Sequence, residues 1–250
     1  MKLEGRVAIV TGGAEGIGQA ISLSLAKEGA DVVVADIEIE PANEVVNEIR
    51  TLGRKAIAIK TDVSKSEETK LMAKTALDKF GKIDILVNNA GGSARERRSL
   101  FCESTEEVWD HVLGKNLKGV LNCSRAVINH MIERRSGRII SIGSIGALAG
   151  AAGRADYAGA KAAYMGFTMS LAKEVASYGI TVNNISCGPF ETEWSTDYQD
   201  ASATRTGLGR VGKVEEMAAT VAFLASDGAG FITGQDIPVC GLANLANVEP

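Results

Sequence analysis

The stretch Val7-Ala8-Ile9-Val10-Thr11-Gly12-Gly13-Ala14-Glu15-Gly16-Ile17-Gly18 passes from an unbroken apolar run into a turn carrying four glycines. An all-apolar run suits a strand covered on both faces, the condition of a parallel sheet. Glycine lets the backbone turn tightly and come close to a pyrophosphate, and the N-terminus of a following helix favours that charge. Two readings stand at this point: a tight strand-to-helix turn, or the phosphate cradle of a dinucleotide site.

Working outward, short β-branched runs alternate with longer amphipathic stretches, the pattern of βαβ units. Beyond Val7 to Val10, strands are expected at Asp31 to Ala35, Ala56 to Lys60, Ile83 to Asn88, Arg138 to Ile142, Thr181 to Ile185 and Asp236 to Val239. Helices are expected near Gly16 to Glu28, Pro41 to Leu52, Ser66 to Phe80, Thr105 to Arg134, Asp156 to Tyr178 and Val214 to Ala225, with Thr105-Glu106-Glu107 as a capped start. Seven strands and six helices fit one α/β domain over residues 1–250. Its expected architecture is a doubly wound, Rossmann-type fold: a seven-stranded parallel sheet with helices on both faces. Phe190 to Arg210 breaks the rhythm with polar residues and little apolar periodicity, and reads as a lid at about 190–210.

Composition narrows the function classes. With 250 residues and a net charge of −4, the chain lacks the basic excess of an extended nucleic-acid-binding surface. No apolar run reaches the roughly 18 residues of a membrane span, and Met1 to Arg6 lacks the apolar core of a secretory signal, so a cytoplasmic protein is expected. Cys102, Cys123, Cys187 and Cys240 show no CxxC spacing and read as free thiols. His111 and His130 are the only histidines, too few to suggest a histidine-based metal site or a Ser-His-Asp triad, and no metal is expected.

Three further features carry chemistry. Asp36 ends the second strand about 20 residues past the glycine turn, where a carboxylate can accept hydrogen bonds from the adenosine ribose and repel a 2′-phosphate. Ile37-Glu38-Ile39-Glu40 supplies no cation for that phosphate, so NAD(H) is favoured over NADP(H). Tyr157 and Lys161 lie four apart in an expected helix, on one face, where an ammonium favours the phenolate and lowers the phenol pKa. Ser144 follows a strand within Ser141-Ile142-Gly143-Ser144-Ile145-Gly146, at the carboxyl end where ligands of such sheets bind. Ser141 competes with it, and either serine could simply bond its own backbone.

These motifs, in order and over essentially the whole chain, resemble the short-chain dehydrogenase/reductase family: TGxxxGIG at Thr11 to Gly18, Asp62 after the third strand, NNAG at Asn88 to Gly91, Asn116 in a helix, Ser144 thirteen residues before Tyr157, and YxxxK at Tyr157 to Lys161. The resemblance implies an NAD-dependent oxidoreductase moving a hydride between the cofactor and a secondary alcohol or ketone. It implies Tyr157 as acid/base, Ser144 as the group that positions and polarises the substrate oxygen, Lys161 on the nicotinamide ribose, and Asn116 holding a water of a proton relay. Gly12, Glu15, Gly16, Ile17, Gly18 and Asp36 would hold the dinucleotide, Asp62 and Val63 the adenine, Asn89 the adenosine side, and Phe190 with Thr192 the nicotinamide end. Asn88 is assigned to sheet scaffolding. A homo-oligomer is implied, with a tetramer favoured.

Two departures from the family pattern stand out: Cys187-Gly188 where Pro-Gly is common, and Val239-Cys240-Gly241-Leu242 where Val-Asp-Gly-Gly is usual. The substrate pocket is expected to include Ser93, Ala94, Ile145, Phe190 and Trp194, with Tyr198 nearby in the lid. Arg95, Arg97 or Arg98 are candidates for closing over an anionic substrate, against the simpler reading of a solvated loop. Two other functions remain open: a non-redox epimerase or dehydratase on the same fold, and an NAD-sensing binding protein without turnover.

Overall fold

The computed structural model describes residues 1–92, 99–192 and 206–245. The expected residues Ser93, Ala94, Arg95, Arg97, Arg98, Trp194 and Tyr198, and the middle of the lid, lie outside them.

Seven parallel strands form one sheet in the order β3-β2-β1-β4-β5-β6-β7. They are β1 (Val7–Thr11), β2 (Asp31–Asp36), β3 (Ala56–Lys60), β4 (Ile85–Asn88), β5 (Gly137–Ile142), β6 (Ile180–Cys187) and β7 (Asp236–Val239). The strand order reverses between β1 and β4, which opens a crevice at their carboxyl ends. Helices α1 (Gly16–Lys27), α2 (Ile39–Thr51) and α8 (Val214–Ala225) lie with one face of the sheet, and α3 (Ser66–Phe80), α5 (Gly119–Arg134) and α7 (Ala155–Val175) with the other. The strands' two-residue period sorts the core: Ala8, Val10, Val32 and Val34 pack with Ile21, Leu25, Val221 and Leu224, while Ile9, Val33 and Leu86 pack with Met72, Val127 and Met131. Among the described residues no helix is long and apolar enough to cross a membrane.

Several boundaries differ from the sequence reading. The fourth strand starts at Ile85, not Ile83, because Asp84 turns its carboxylate onto the Val7 N–H at the foot of the sheet. The expected helix from Thr105 to Arg134 is broken in character: α4 (Glu106–Leu113) runs into a π-helical segment, Gly114–Lys118, before α5. Thr105 occupies the N-cap position, but its side chain makes no capping bond. α7 ends at Val175 and tightens into a 3₁₀ turn, Ala176–Tyr178. The short helix α6 (Gly146–Ala149) and a 3₁₀ turn at Phe101–Glu103 are too brief to leave a periodic signal.

Candidate active site

The glycine turn is shaped by contacts a side chain would forbid. Gly12 and Gly16 have φ of +60° and +53°. A Cβ on Gly12 would lie 2.9 Å from Ala90 Cα, and one on Gly18 only 1.8 Å from the Gly12 carbonyl oxygen, so α1 packs directly on its own turn. Side chains then tie the turn to the end of β4. Asn89 Nδ2 donates to the Thr11 and Gly12 carbonyls at 3.1 and 2.7 Å, and Thr11 Oγ1 accepts the N–H of Asn89 and of Ala90. Asn89 therefore braces the turn from beneath, with its amide donors spent there. The first N–H groups of α1 have no intrahelical acceptor, and the exposed N-cap Glu15 makes no side-chain cap, which suits an anion cradle.

Asp36 stands at the end of β2, half-buried. Its Oδ2 accepts the Ala14 N–H at 3.0 Å and its Oδ1 that of Glu38 at 3.2 Å, fixing the carboxylate beside the turn. The sheet also pairs Asp36 with Lys60 on β3, whose side chain is exposed. The absence of a basic neighbour, read along the chain, therefore does not hold across the sheet. Asp62 folds onto its own loop, accepting from Ser64 N and Oγ at 3.0 and 2.7 Å. Burial alone would raise its pKa, but the Ser64 bonds and the Lys65 ammonium outweigh it, and the shift is downward. Val63 is buried, with its Cγ2 2.7 Å from where a Gly119 Cβ would sit. It is thus packed on the first turn of α5.

At the ends of β4 and β5 a second group assembles. Ser141 is buried within the sheet beside Asn88, whose Nδ2 also reaches Ser124 Oγ, so Asn88 and Ser141 belong to the scaffold. Ser144 is half-buried beyond the strand, its Oγ accepting the Gly146 N–H at 3.1 Å. Of the two serines, depth in the sheet leaves Ser144 near the crevice. Tyr157 is half-buried on the first turn of α7, and the Lys161 Nζ lies 5.8 Å from its ring centroid.

Lys161 is 4% exposed and donates to the Ile142 carbonyl at 2.7 Å and to Tyr164 Oη at 3.1 Å. Burial pulls its pKa down to about 7, with Cys187 opposing the shift weakly. A Cβ on Gly91 would lie 3.4 Å from this ammonium and 2.5 Å from Asn116 Oδ1, so only glycine lets the β4 loop pass between them. Asn116, in the π-helical segment, closes on Gly92: its Oδ1 accepts the Gly92 N–H and its Nδ2 donates to Gly92 O and Val112 O. Both of its side-chain donors are thereby used by the chain.

The segment after β6 departs most from expectation. The Cys187 carbonyl accepts the Ile145 N–H at 3.0 Å, which ties β6 to the Ser144 turn without a proline. Phe190 is buried, with its ring against Gly212 and within the core that holds α8. Thr192 Cγ2 lies 3.6 Å from a Cβ built on Gly16, above the glycine turn. Cys240 backs onto Gly188, whose Cβ would fall 2.5 Å from its Cα. Sequence reasoning missed Tyr164. The signal was present, since positions 157, 161 and 164 share one helical face.

The model of the short chain dehydrogenase family matches residues 6–203. The chain is 38% identical over 245 residues to the 3-oxoacyl-[acyl-carrier-protein] reductase FabG of Thermotoga maritima, covering 96% of this chain and 98% of that one. It is 39% identical over 249 residues to the (2S)-[(R)-hydroxy(phenyl)methyl]succinyl-CoA dehydrogenase subunit BbsD of Thauera aromatica, covering 98% and 99%. A crystal structure of a candidate short-chain alcohol dehydrogenase from Sinorhizobium meliloti 1021 superposes with a TM-score of 0.92 at 33% identity, covering 98% of this chain and 99% of that one.

Proposed function

The chain belongs to the short-chain dehydrogenase family and is an oxidoreductase of that family, which uses a nicotinamide cofactor; from that premise we propose that it interconverts a secondary alcohol and its ketone with NAD(H). The observation that carries this reading is the buried ammonium of Lys161 at the crevice end of β5, on the same helical face as Tyr157 and one glycine away from Asn116. When bound, the nicotinamide gives or takes the hydride. Tyr157 gives or takes the proton at the substrate oxygen, because a neighbouring ammonium favours its phenolate. Ser144 Oγ holds that oxygen in place. Lys161 serves the nicotinamide ribose with the donor that Ile142 and Tyr164 leave over.

The dinucleotide would lie over Gly12, Glu15, Gly16, Ile17 and Gly18, with Asp36 on the adenosine ribose and Asp62 with Val63 at the adenine. Asn89 supports that end from below. Thr192 would close over the pyrophosphate side, and Phe190 would act by holding the segment that carries it. Because the Asn116 side chain is occupied, a relay water would be held by its main-chain carbonyl in the widened π-helical turn. The same reading takes the chain as one domain over 1–250, with a lid at about 190–210, assembled as a homotetramer in the cytoplasm.

Both named relatives act on an oxygen-bearing carbon of an acyl group, so oxo- and hydroxyacyl thioesters are the first substrates to try, beside simple secondary alcohols and ketones. The test is a panel of these compounds followed at 340 nm with NAD and NADP in both directions. Turnover of any member with NAD(H) preferred supports the reading; cofactor binding with no hydride transfer to any of them would favour a sensing protein instead.

A further inference from the structure

Lys161 stands between two tyrosines of its own helix, and the reaction above uses only the first. Tyr164 is fully buried, its Oη 3.1 Å from Lys161 Nζ, and its ring centroid is closer to that ammonium than the Tyr157 centroid is, 4.4 Å against 5.8 Å. An ammonium has three donors. Among the described residues, Ile142 O and Tyr164 Oη take two of them.

We propose that Tyr164 is a positioning residue: its hydroxyl is a fixed, dry acceptor that favours the protonated form of Lys161 and leaves one N–H directed at the cofactor and Tyr157. This rests on the reading of Tyr157 as the acid/base. The two tyrosines cannot trade places. Burial first, then the neighbouring Tyr157 and Cys123, push the Tyr164 hydroxyl far above its ordinary range, so it stays neutral and accepts from the ammonium instead of titrating. Among the described residues, the titratable groups facing this pair are Tyr157 on α7, Cys187 on β6 and Cys123 on α5. Burial holds both thiols up at about 12, so neither offers a negative charge near neutrality. With no carboxylate among these neighbours, the ammonium is held by neutral oxygens and by the face of the Tyr164 ring. Removing one oxygen in a site closed to water leaves a charged donor unpaired.

Tyr164→Phe removes the acceptor and keeps the ring. The first measurement needs no turnover: the pKa of Lys161 in the cofactor-free protein, followed by NMR of lysine labelled with carbon-13 at Cε, the resonance being assigned by its loss in Lys161→Arg. We expect the pKa to fall by about one unit in Tyr164→Phe, the scale of one hydrogen bond to a charged group. With less positive charge beside it, Tyr157 ionises at higher pH, so the acid limb of the kcat/KM profile for alcohol oxidation moves up. A purely structural tyrosine would change stability and leave both pH values in place. If Tyr164→Phe does not fold, a ring-fluorinated tyrosine at 164 keeps the shape, weakens the acceptor and should shift Lys161 the same way by less. An unchanged Lys161 pKa overturns the proposal. Tyr157→Phe, assayed alongside, separates the two readings: retained activity there sinks the acid/base assignment, whereas a dead Tyr157→Phe with an unmoved Lys161 sinks the role of Tyr164 alone.

Discussion

The glycine turn and the Lys161 cluster sit at the same edge of the sheet and are held by opposite means. At the turn the chain braces backbone: Asn89 and Asp36 satisfy the Thr11, Gly12 and Ala14 main-chain groups. At Lys161 it buries a charge and meets it with neutral oxygens. The first arrangement fixes shape; the second stores a protonation equilibrium that burial has moved to near neutrality. Chemistry that needs a proton belongs at the second.

The sharpest way to break this contrast is at Tyr157. Tyr157→Phe is expected to lower kcat by about 10²–10⁴-fold or more, the range of a general acid/base, with thermal stability and NADH binding near those of the parent. Retention of a tenth of the activity would remove the proton chemistry from this end of the crevice.

Stability against pH tests the buried charge itself. The Lys161 pKa is about 7 in the folded protein against an ordinary 10.5, so between those values the unfolded chain holds a proton that the folded one has released. Stability then rises with pH across that window. Relative to Lys161→Met, which has no such proton, the parent should gain on the order of a few kcal/mol from pH 7 to 10.5, and the gap should be flat below pH 7. Parallel curves for the two proteins in denaturant titrations over that range would show that the charge is not buried.

At the braced end the expected effects are steric and smaller. Gly18→Ala places a methyl 1.8 Å from the Gly12 carbonyl, which the turn can meet only by opening. A cost of about 1–3 kcal/mol is typical of such overpacking, and NADH affinity should fall tenfold or more by fluorescence titration. Unchanged affinity would place the cofactor elsewhere.

Asp36→Ala should give the smallest change, narrowing the NAD over NADP preference in kcat/KM by about fivefold, as for a partly exposed charge worth about 1 kcal/mol. Lys60, its partner across β2 and β3, sharpens the test. If that cation receives the 2′-phosphate, adding Lys60→Gln to Asp36→Ala restores part of the preference; equal use of both cofactors by the parent would end the NAD assignment.

How far the sequence reaches differs between neighbouring residues. Strands β1 to β3 and helices α1, α3 and α8 were legible within a residue or two, because a two-residue or 3.6-residue apolar period is a local property. The π-helical segment around Asn116 was not, since i→i+5 bonding leaves no such period. Ser141 and Ser144 share the same composition around them, and only depth in the sheet separates them: one bonds Asn88 in the core, the other stands past the strand end. Phe190, assigned to the nicotinamide end by resemblance, has its ring packed on Gly212, a contact that only the fold brings about.

The sequence by itself determined the doubly wound sheet, the position of the glycine turn at its reversal, and the pairing of Tyr157 with Lys161, because each depends on residues within one turn or one βαβ unit. Tertiary structure alone decided that Lys161 is dry, that Ile142 takes one of its donors, that Gly91 is the gap beside it, and that Lys60 pairs with Asp36 in the strand register. Those facts join residues 19 to 70 positions apart or set how much water reaches them, and desolvation and cross-strand register are properties of the packed sheet, which no local spacing encodes.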